Sequence, residues 1–505
     1  MKKAILLCCF LPFVGMAQMP IVLTKSGKIQ GTQKNGIQVF KGIPFAKPPV
    51  GDLRWKAPQP LTPWEGVKKC LAFGPSPVQD EPIPFMCWSE EYLIPKAPIS
   101  EDCLYLNVWA PKKTTTKKAV LVYIYGGGFR SGGSGCAIYD GEAMAKKDIL
   151  YVSINYRVGV FGFLAHPELS NESAQKTSGN YALLDMIAAL HWVHDNIEAF
   201  GGDPNQVTIA GQSAGAFAVN FLSASPLTKG LIKGAIAESG GSILPSSIRP
   251  SIRLKEAEQM GVSYAKKLGA SSIQELRKKT ATEILKSQGG LSGPFEDGYV
   301  IPSSMLSIYN NHEQNDIPTL LGWNLDDKMI GKPATAAQYT ADIQKQFGAN
   351  ALALLALYPG NNDMEAATSQ GDLSRDQTFG VQGYTWATLQ SEKGKSPVYV
   401  YSFNRKLPAS TPATDFGAFH TGEVPYAYNN LHTVHRPFTK EDYLLADQMS
   451  SYWVNFVKTA NPNGKGLLSW PAYTKETKQV IQLDTKMEVK KLPTEQKLQL
   501  LSKIL

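Results

Sequence analysis

The chain has 505 residues, 43% of them hydrophobic and 19% charged, with 44 Gly, 33 Pro and six Cys. At about 150 residues per domain, length alone suggests roughly three domains. The apolar fraction and the spread of aromatic residues exclude disorder, and aperiodic Gly and Pro exclude a collagen-like or low-complexity chain. Basic residues outnumber acidic ones, 51 to 43, for a formal charge of +8. The charges are interspersed, and pairs such as Lys112-Lys113 and Lys117-Lys118 are too short to form a nucleic-acid stripe, so no nucleic-acid partner is expected.

Met1-Lys2-Lys3 precedes the apolar run AILLCCFLPFVG, and Gly15-Met16-Ala17 supplies small residues where a signal peptidase reads them. The expectation is a leader over residues 1–17, cleavage before Gln18, and export. No later apolar run reaches the roughly 18 residues needed to span a bilayer, so no integral membrane segment is expected. Cys8 and Cys9 would leave with the leader. Cys70, Cys87, Cys103 and Cys136 remain, an even number that suggests disulfides in an exported protein.

The apolar, β-branched runs Ala119 to Tyr125, Ile149 to Asn155 and Gln206 to Ala210 suit strands buried on both faces, as in a parallel sheet. Between the last two, Tyr181 to Phe200 carries Leu183, Leu184, Ile187, Leu190, Val193 and Ile197 at helical spacing, and Gly201-Gly202-Asp203-Pro204 ends it. Ala235-Ile236-Ala237, Thr319 to Gly322 and Val398 to Phe403 add candidate strands, and Glu441 to Lys458 a helix. Alternating strands and helices predict an α/β fold with a mostly parallel central sheet flanked by helices. No repeat and no long linker interrupts it, which favours one domain over residues 18–505 with large insertions.

Gly211-Gln212-Ser213-Ala214-Gly215 lies between the strand QVTIA and an apolar helix, the context of a nucleophile elbow. The flanking glycines let strand and helix approach, while Ser213 is raised above the sheet at a helix N-terminus. Tyr125-Gly126-Gly127-Gly128-Phe129 follows an earlier strand and can turn successive N–H groups toward one point. Gly127, Gly128 and Ala214 N–H are the candidate oxyanion donors. In the α/β-hydrolase order of Ser, acid and His, His166, His191 and His194 come too early. Of His312, His420, His432 and His435, His420 stands in a Gly-bounded loop shortly after the strand Val398 to Phe403 and is the candidate base. The acid is expected after Thr319 to Asn324, where position does not choose between Asp326 and Asp327.

These segments, with FKGIPFAKPPVGDLRW from Phe40, EDCLYLNVW from Glu101, NYRVGVFGFL from Asn155 and YWVNFVKTANPN from Tyr452, resemble the type-B carboxylesterases, a family that includes cholinesterases and para-nitrobenzyl esterases. The resemblance covers about residues 20 to 485. It implies an α/β-hydrolase fold with pocket-forming insertions and a triad of Ser213, His420 and Asp327. It also implies oxyanion donors at Gly127, Gly128 and Ala214, and no metal or organic cofactor. It implies a Cys70–Cys103 disulfide, which leaves Cys87 and Cys136 as a second pair. The implied activity is hydrolysis of a small-molecule carboxylic ester through an acyl-enzyme, with a lipase for longer chains or a catalytically silent binding module as alternatives. Four departures stand out: Asp327 where Glu is usual, Lys328 for a Gly, Gln212 for a Glu before the serine, and Thr421 for a Gly after the histidine. Gln212 removes a negative charge and argues against a cationic substrate. Phe85, Trp88 and Tyr92, in the insertion Pro82 to Pro98, and Trp323 are expected either to wall the pocket or to pack beneath a loop.

Overall fold

The computed structural model describes residues 19–112, 115–246, 250–287, 289–329 and 331–505. The expected leader lies outside them. Eleven strands form one sheet: Thr32–Lys34 (β1), Ile37–Pro44 (β2), Tyr105–Ala110 (β3), Lys118–Ile124 (β4), Leu150–Ile154 (β5), Gly202–Gln212 (β6), Gly234–Glu238 (β7), Thr319–Asn324 (β8), Val398–Phe403 (β9), Gln479–Leu483 (β10) and Glu488–Lys491 (β11). Their spatial order is β11-β10-β9-β8-β7-β6-β4-β5-β3-β2-β1. The run from β10 to β5 is parallel throughout, and the pairs toward both edges are antiparallel. A separate small sheet joins Ile21–Thr24, Gly27–Gln30 and Val67–Lys69.

The centre follows the sequence pattern. Every residue of β5, β7 and β8 is buried, as strands covered by helices on both faces must be. The predicted helix from Tyr181 runs as α-helix to Asn196, then tightens into a 3₁₀ turn over Ile197–Phe200. Gly201, at φ 92°, closes that turn. The late helix spans Lys440–Thr459. Thr439 N–H and Oγ1 both donate to Asp442 Oδ2, at 2.8 and 3.0 Å, which satisfies its N-terminus. The buried Arg157 guanidinium grips Asp185 through Nε and one terminal amine, at 2.8 and 2.7 Å. This pair ties the loop after β5 to the helix Tyr181–Asn196.

The cysteine expectation is corrected. Cys70, Cys87, Cys103 and Cys136 are all free, buried thiols. Cys136 Sγ donates to Glu91 O at 3.3 Å. Burial pushes the Cys70 thiol up to about 11, those of Cys87 and Cys136 up to about 12, and that of Cys103 well above the ordinary value. Buried thiols held protonated are poor nucleophiles for disulfide exchange.

Candidate active site

Four loops at the carboxyl ends of parallel strands, β4, β6, β8 and β9, converge on one cavity of about 1400 Å³. The first turns from β6 into the helix Ala214–Ala224. Ser213 sits between them at φ 55°, ψ −124°, a region that costs a non-glycine residue on the order of 1–3 kcal/mol. Packing enforces the turn. A Cβ on Gly215 would lie 2.0 Å from Ile124 O, and one on Gly211 would lie 2.5 Å from the Gly215 carbonyl carbon. Ser213 N–H donates to Glu238 O across to β7 at 2.8 Å, which pins the strained residue from the far side.

The second element is the glycine loop after β4. A Cβ on Gly126 would press on Gln212 O at 2.7 Å and Ser213 Cβ at 3.0 Å, so this loop lies directly against the serine. Gly127 and Gly128 have φ of 114° and 63° and line the cavity together with Ser213 and Ala214. The candidate oxyanion donors therefore border the same space as the candidate nucleophile.

Asp327, after β8, and His420, after β9, complete the cluster. Asp327 is fully buried and its Oδ1 lies 2.7 Å from His420 Nδ1. Its Oδ2 accepts from Ser239 Oγ and from Asn324 N–H, both at 2.7 Å. Asp326, the alternative left open by position, turns the other way: its Oδ2 accepts from Ala418 N–H at 2.9 Å and its Oδ1 pairs with Lys328 at 3.1 Å. Lys328 thus serves the loop rather than the imidazole. Its stem covers Gly371. His312, His432 and His435 are exposed, away from this cluster.

His420 itself is 5% exposed and stacked by Phe379, with centroids 4.7 Å apart and planes at 21°. Phe379 lies in a π-helical turn, Asp376–Gly380, which joins the helices Asp363–Arg375 and Val381–Lys393. Such wide turns are rare and cluster at functional sites. Trp88, from the Pro82 to Pro98 insertion, packs at right angles to His420, with centroids 6.3 Å apart. Phe85, Trp88 and Tyr92 line the cavity, whereas Trp323 is buried against Gly383 and packs beneath it. Phe379, Ser239 and the buried acids Glu238 and Glu423 were not singled out from the sequence. Only tertiary packing brings them to the site.

Glu423 is wholly buried. Burial, then the charges of Asp327 and Glu238, pushes its carboxyl well above the usual range, and Asn324 Nδ2 donates to its Oε2. Glu238 is raised to about 8 by burial, only partly offset by donors Trp453 Nε1 at 2.6 Å and Tyr428 Oη at 3.0 Å. The folded protein therefore holds a proton on Glu238 that the unfolded chain, with an ordinary Glu near 4.5, releases. The contribution of Glu238 to stability therefore falls as pH rises from about 4.5 to about 8, because the folded state binds its proton more tightly in that window. Glu238→Gln keeps a carbonyl acceptor for both donors and removes the titration. Its melting temperature should exceed wild type at pH 8, with the gap closing toward pH 5. A gap of constant size across that range would contradict the assignment.

Among the described residues, no group of three or more His, Cys, Asp or Glu could hold a metal ion. None of their helices is long and apolar enough to cross a membrane.

Comparison with known proteins places this arrangement. Residues 18–501 match the profile of the carboxylesterase family. The chain is 36% identical over 479 residues to a fumonisin B1 esterase from Sphingopyxis macrogoltabida, covering 89% of this chain and 84% of that one. It is 33% identical over 504 residues to a para-nitrobenzyl esterase from Bacillus subtilis, covering 95% and 98%. A solved structure titled PNB esterase superposes with a TM-score of 0.80 at 33% identity, over 95% of this chain and 99% of the other.

Proposed function

Since the chain belongs to the carboxylesterase family and is a carboxylic ester hydrolase, we propose that it acts through an acyl-enzyme on Ser213, with His420 as base and Asp327 as the acid that orients it. The observation that carries this reading is the 2.7 Å contact between Asp327 Oδ1 and His420 Nδ1, on loops that meet the Ser213 turn at one cavity. Nδ1–H given to Asp327 leaves the Nε2 lone pair to accept the Ser213 proton as Oγ attacks the ester carbon. The tetrahedral oxyanion is received by N–H groups of Gly127, Gly128 and Ala214, each such donor contributing on the order of 3 kcal/mol to the barrier reduction. His420 then protonates the leaving alcohol, and a water activated by the same nitrogen releases the acid.

Neutral Gln212 beside the pocket and the apolar wall of Phe85, Trp88, Phe217 and Phe379 favour a neutral ester. The two bacterial relatives are named for quite different esters, fumonisin B1 and para-nitrobenzyl esters. We further assign residues 1–17 to a leader removed before Gln18, and residues 18–505 to a single exported catalytic domain. The charged start and apolar run support the leader, and strands drawn from residue 32 to residue 491 into one sheet support the single domain.

The purified protein should hydrolyse p-nitrophenyl acetate and butyrate with an initial burst of p-nitrophenol equal to the enzyme present. Rates should decline for long acyl chains presented as emulsions. Absence of turnover on every ester would reject the hydrolytic site, and a marked rise at the emulsion interface would favour a lipase.

A further inference from the structure

The departures at Gln212 and Thr421 come together in one hydrogen-bond chain. Trp88 Nε1 donates to Thr421 Oγ1 at 3.1 Å. Thr421 Oγ1 in turn donates to Gln212 Oε1 at 3.3 Å. Gln212 Nε2 lies 3.3 Å from His420 Nε2 and 3.5 Å from Nδ1. The directions follow from chemistry. An indole N–H can only donate, so the Thr421 hydroxyl accepts from Trp88 and must send its single hydrogen onward. Only the carbonyl oxygen of Gln212 can take it, which turns the amide N–H₂ toward the imidazole. Near-equal distances to both ring nitrogens put the amide beside the ring and in line with neither lone pair, so Nε2 stays open to Ser213. Trp88 is itself held in a hairpin closed by reciprocal backbone bonds between Phe85 and Trp88 at 3.1 and 3.0 Å. Thr421 keeps this geometry at φ 79°, a conformation that favours glycine.

We propose that Trp88 and Thr421 are positioning residues that lock the Gln212 amide with its N–H₂ toward His420, and so extend the pH range of hydrolysis to the acid side. This rests on His420 being the base. A partially positive amide edge beside the ring repels an imidazolium and leaves the neutral imidazole unaffected. A reversed amide, or a glutamate in its place, would do the opposite. The other titratable groups around His420 are Asp327 at Nδ1, Glu423 on its own loop, Glu238 behind Ser213 and Cys87 on the rim hairpin. Burial shifts the Glu423 carboxyl and the Cys87 thiol toward their protonated forms, Glu238 is raised to about 8, on the basic side of the acid limb, and Asp327 is common to every variant below.

The test is kcat/KM against pH from 4.5 to 8.5 for a soluble ester, with product followed by chromatography so that no indicator titrates. Gln212→Glu should move the acid limb up by about one unit, the size expected of an opposite charge brought beside the ring. Thr421→Val, which keeps the β-branched shape and removes the hydroxyl, should move it up by about half a unit. Trp88→Phe should move it the same way by less, and Thr421→Ser should restore the wild-type limb. An unmoved limb in folded Thr421→Val would overturn the proposal, whatever Gln212→Glu does. If Thr421→Val does not fold, Trp88→Phe decides it on the same criterion. A separate arm isolates the underlying reading: His420→Ala retaining wild-type turnover would remove the base itself, an outcome distinct from an unmoved limb.

Discussion

Ser213→Ala should lower kcat by on the order of 10⁵ to 10⁶ while leaving the melting temperature within about a degree of wild type. The size of the loss follows from what remains. The Gly127 and Gly128 loop and the Ala214 N–H still stand around the cavity, and such preorganised donors with substrate binding alone sustain on the order of 10³ over water. Stability should hardly change because Ser213 is held by its backbone, through its N–H to Glu238 O and its carbonyl to Phe217 N–H. Alanine adopts the strained φ of 55° at a similar cost to serine. Steady-state kinetics with thermal unfolding of the same sample checks both halves. A variant that kept more than a hundredth of wild-type kcat would remove Ser213 as nucleophile.

The second large effect is expected at Asp327, where the two oxygens have unequal surroundings. Oδ2 is taken by two donors, Ser239 Oγ and Asn324 N–H, while Oδ1 faces His420 Nδ1. In Asp327→Asn the backbone N–H of Asn324 cannot be reversed, so the amide oxygen must occupy the Oδ2 position. The amide N–H₂ then meets Nδ1, which forces the ring into the tautomer with its hydrogen on Nε2. That tautomer cannot accept the serine proton, and kcat should fall by on the order of 10⁴. Asp327→Glu should also be severely impaired, by at least about 10², although glutamate is the commoner acid in the resembled family. The site is sealed, and an added methylene would displace an imidazole already clamped by Phe379. Near-normal activity in Asp327→Glu would show that the loop from Leu325 to Lys328 is more yielding than its hydrogen bonds imply.

Legibility tracked the kind of constraint. The central strands were readable because burial on both faces demands unbroken apolar, β-branched runs such as Ala119 to Tyr125. The antiparallel strands toward the two edges, Ile37–Pro44 and Glu488–Lys491, were not, since they mix polar and apolar residues without a clean period. The Gly211 to Gly215 turn and the Gly126 to Gly128 loop stood out because a single Cβ there collides with backbone, which leaves the chain no alternative residue. Asp326 and Asp327 could not be separated by position, as adjacent loop aspartates differ only in which partners the fold supplies. Phe379 depends on one wide helical turn, and Trp88 reaches Thr421 across 333 residues. Neither leaves a local trace. The cysteine pairing came from resemblance, and resemblance carried it further than the thiols of this chain support.

The parallel strand order has a last consequence, for how the chain comes to be active at all. The strands that carry the serine, the acid and the histidine turns follow one another along the chain, and the histidine turn is placed by Val398–Phe403, which pairs in parallel with Thr319–Asn324. A nascent or truncated chain ending before that strand would present the fully buried run Thr319–Asn324 as an open edge, a template for aggregation. It would possess no partial catalysis. Hydrolysis therefore cannot precede the docking of Val398–Phe403, and ester turnover during refolding reports that this long-range pairing is complete.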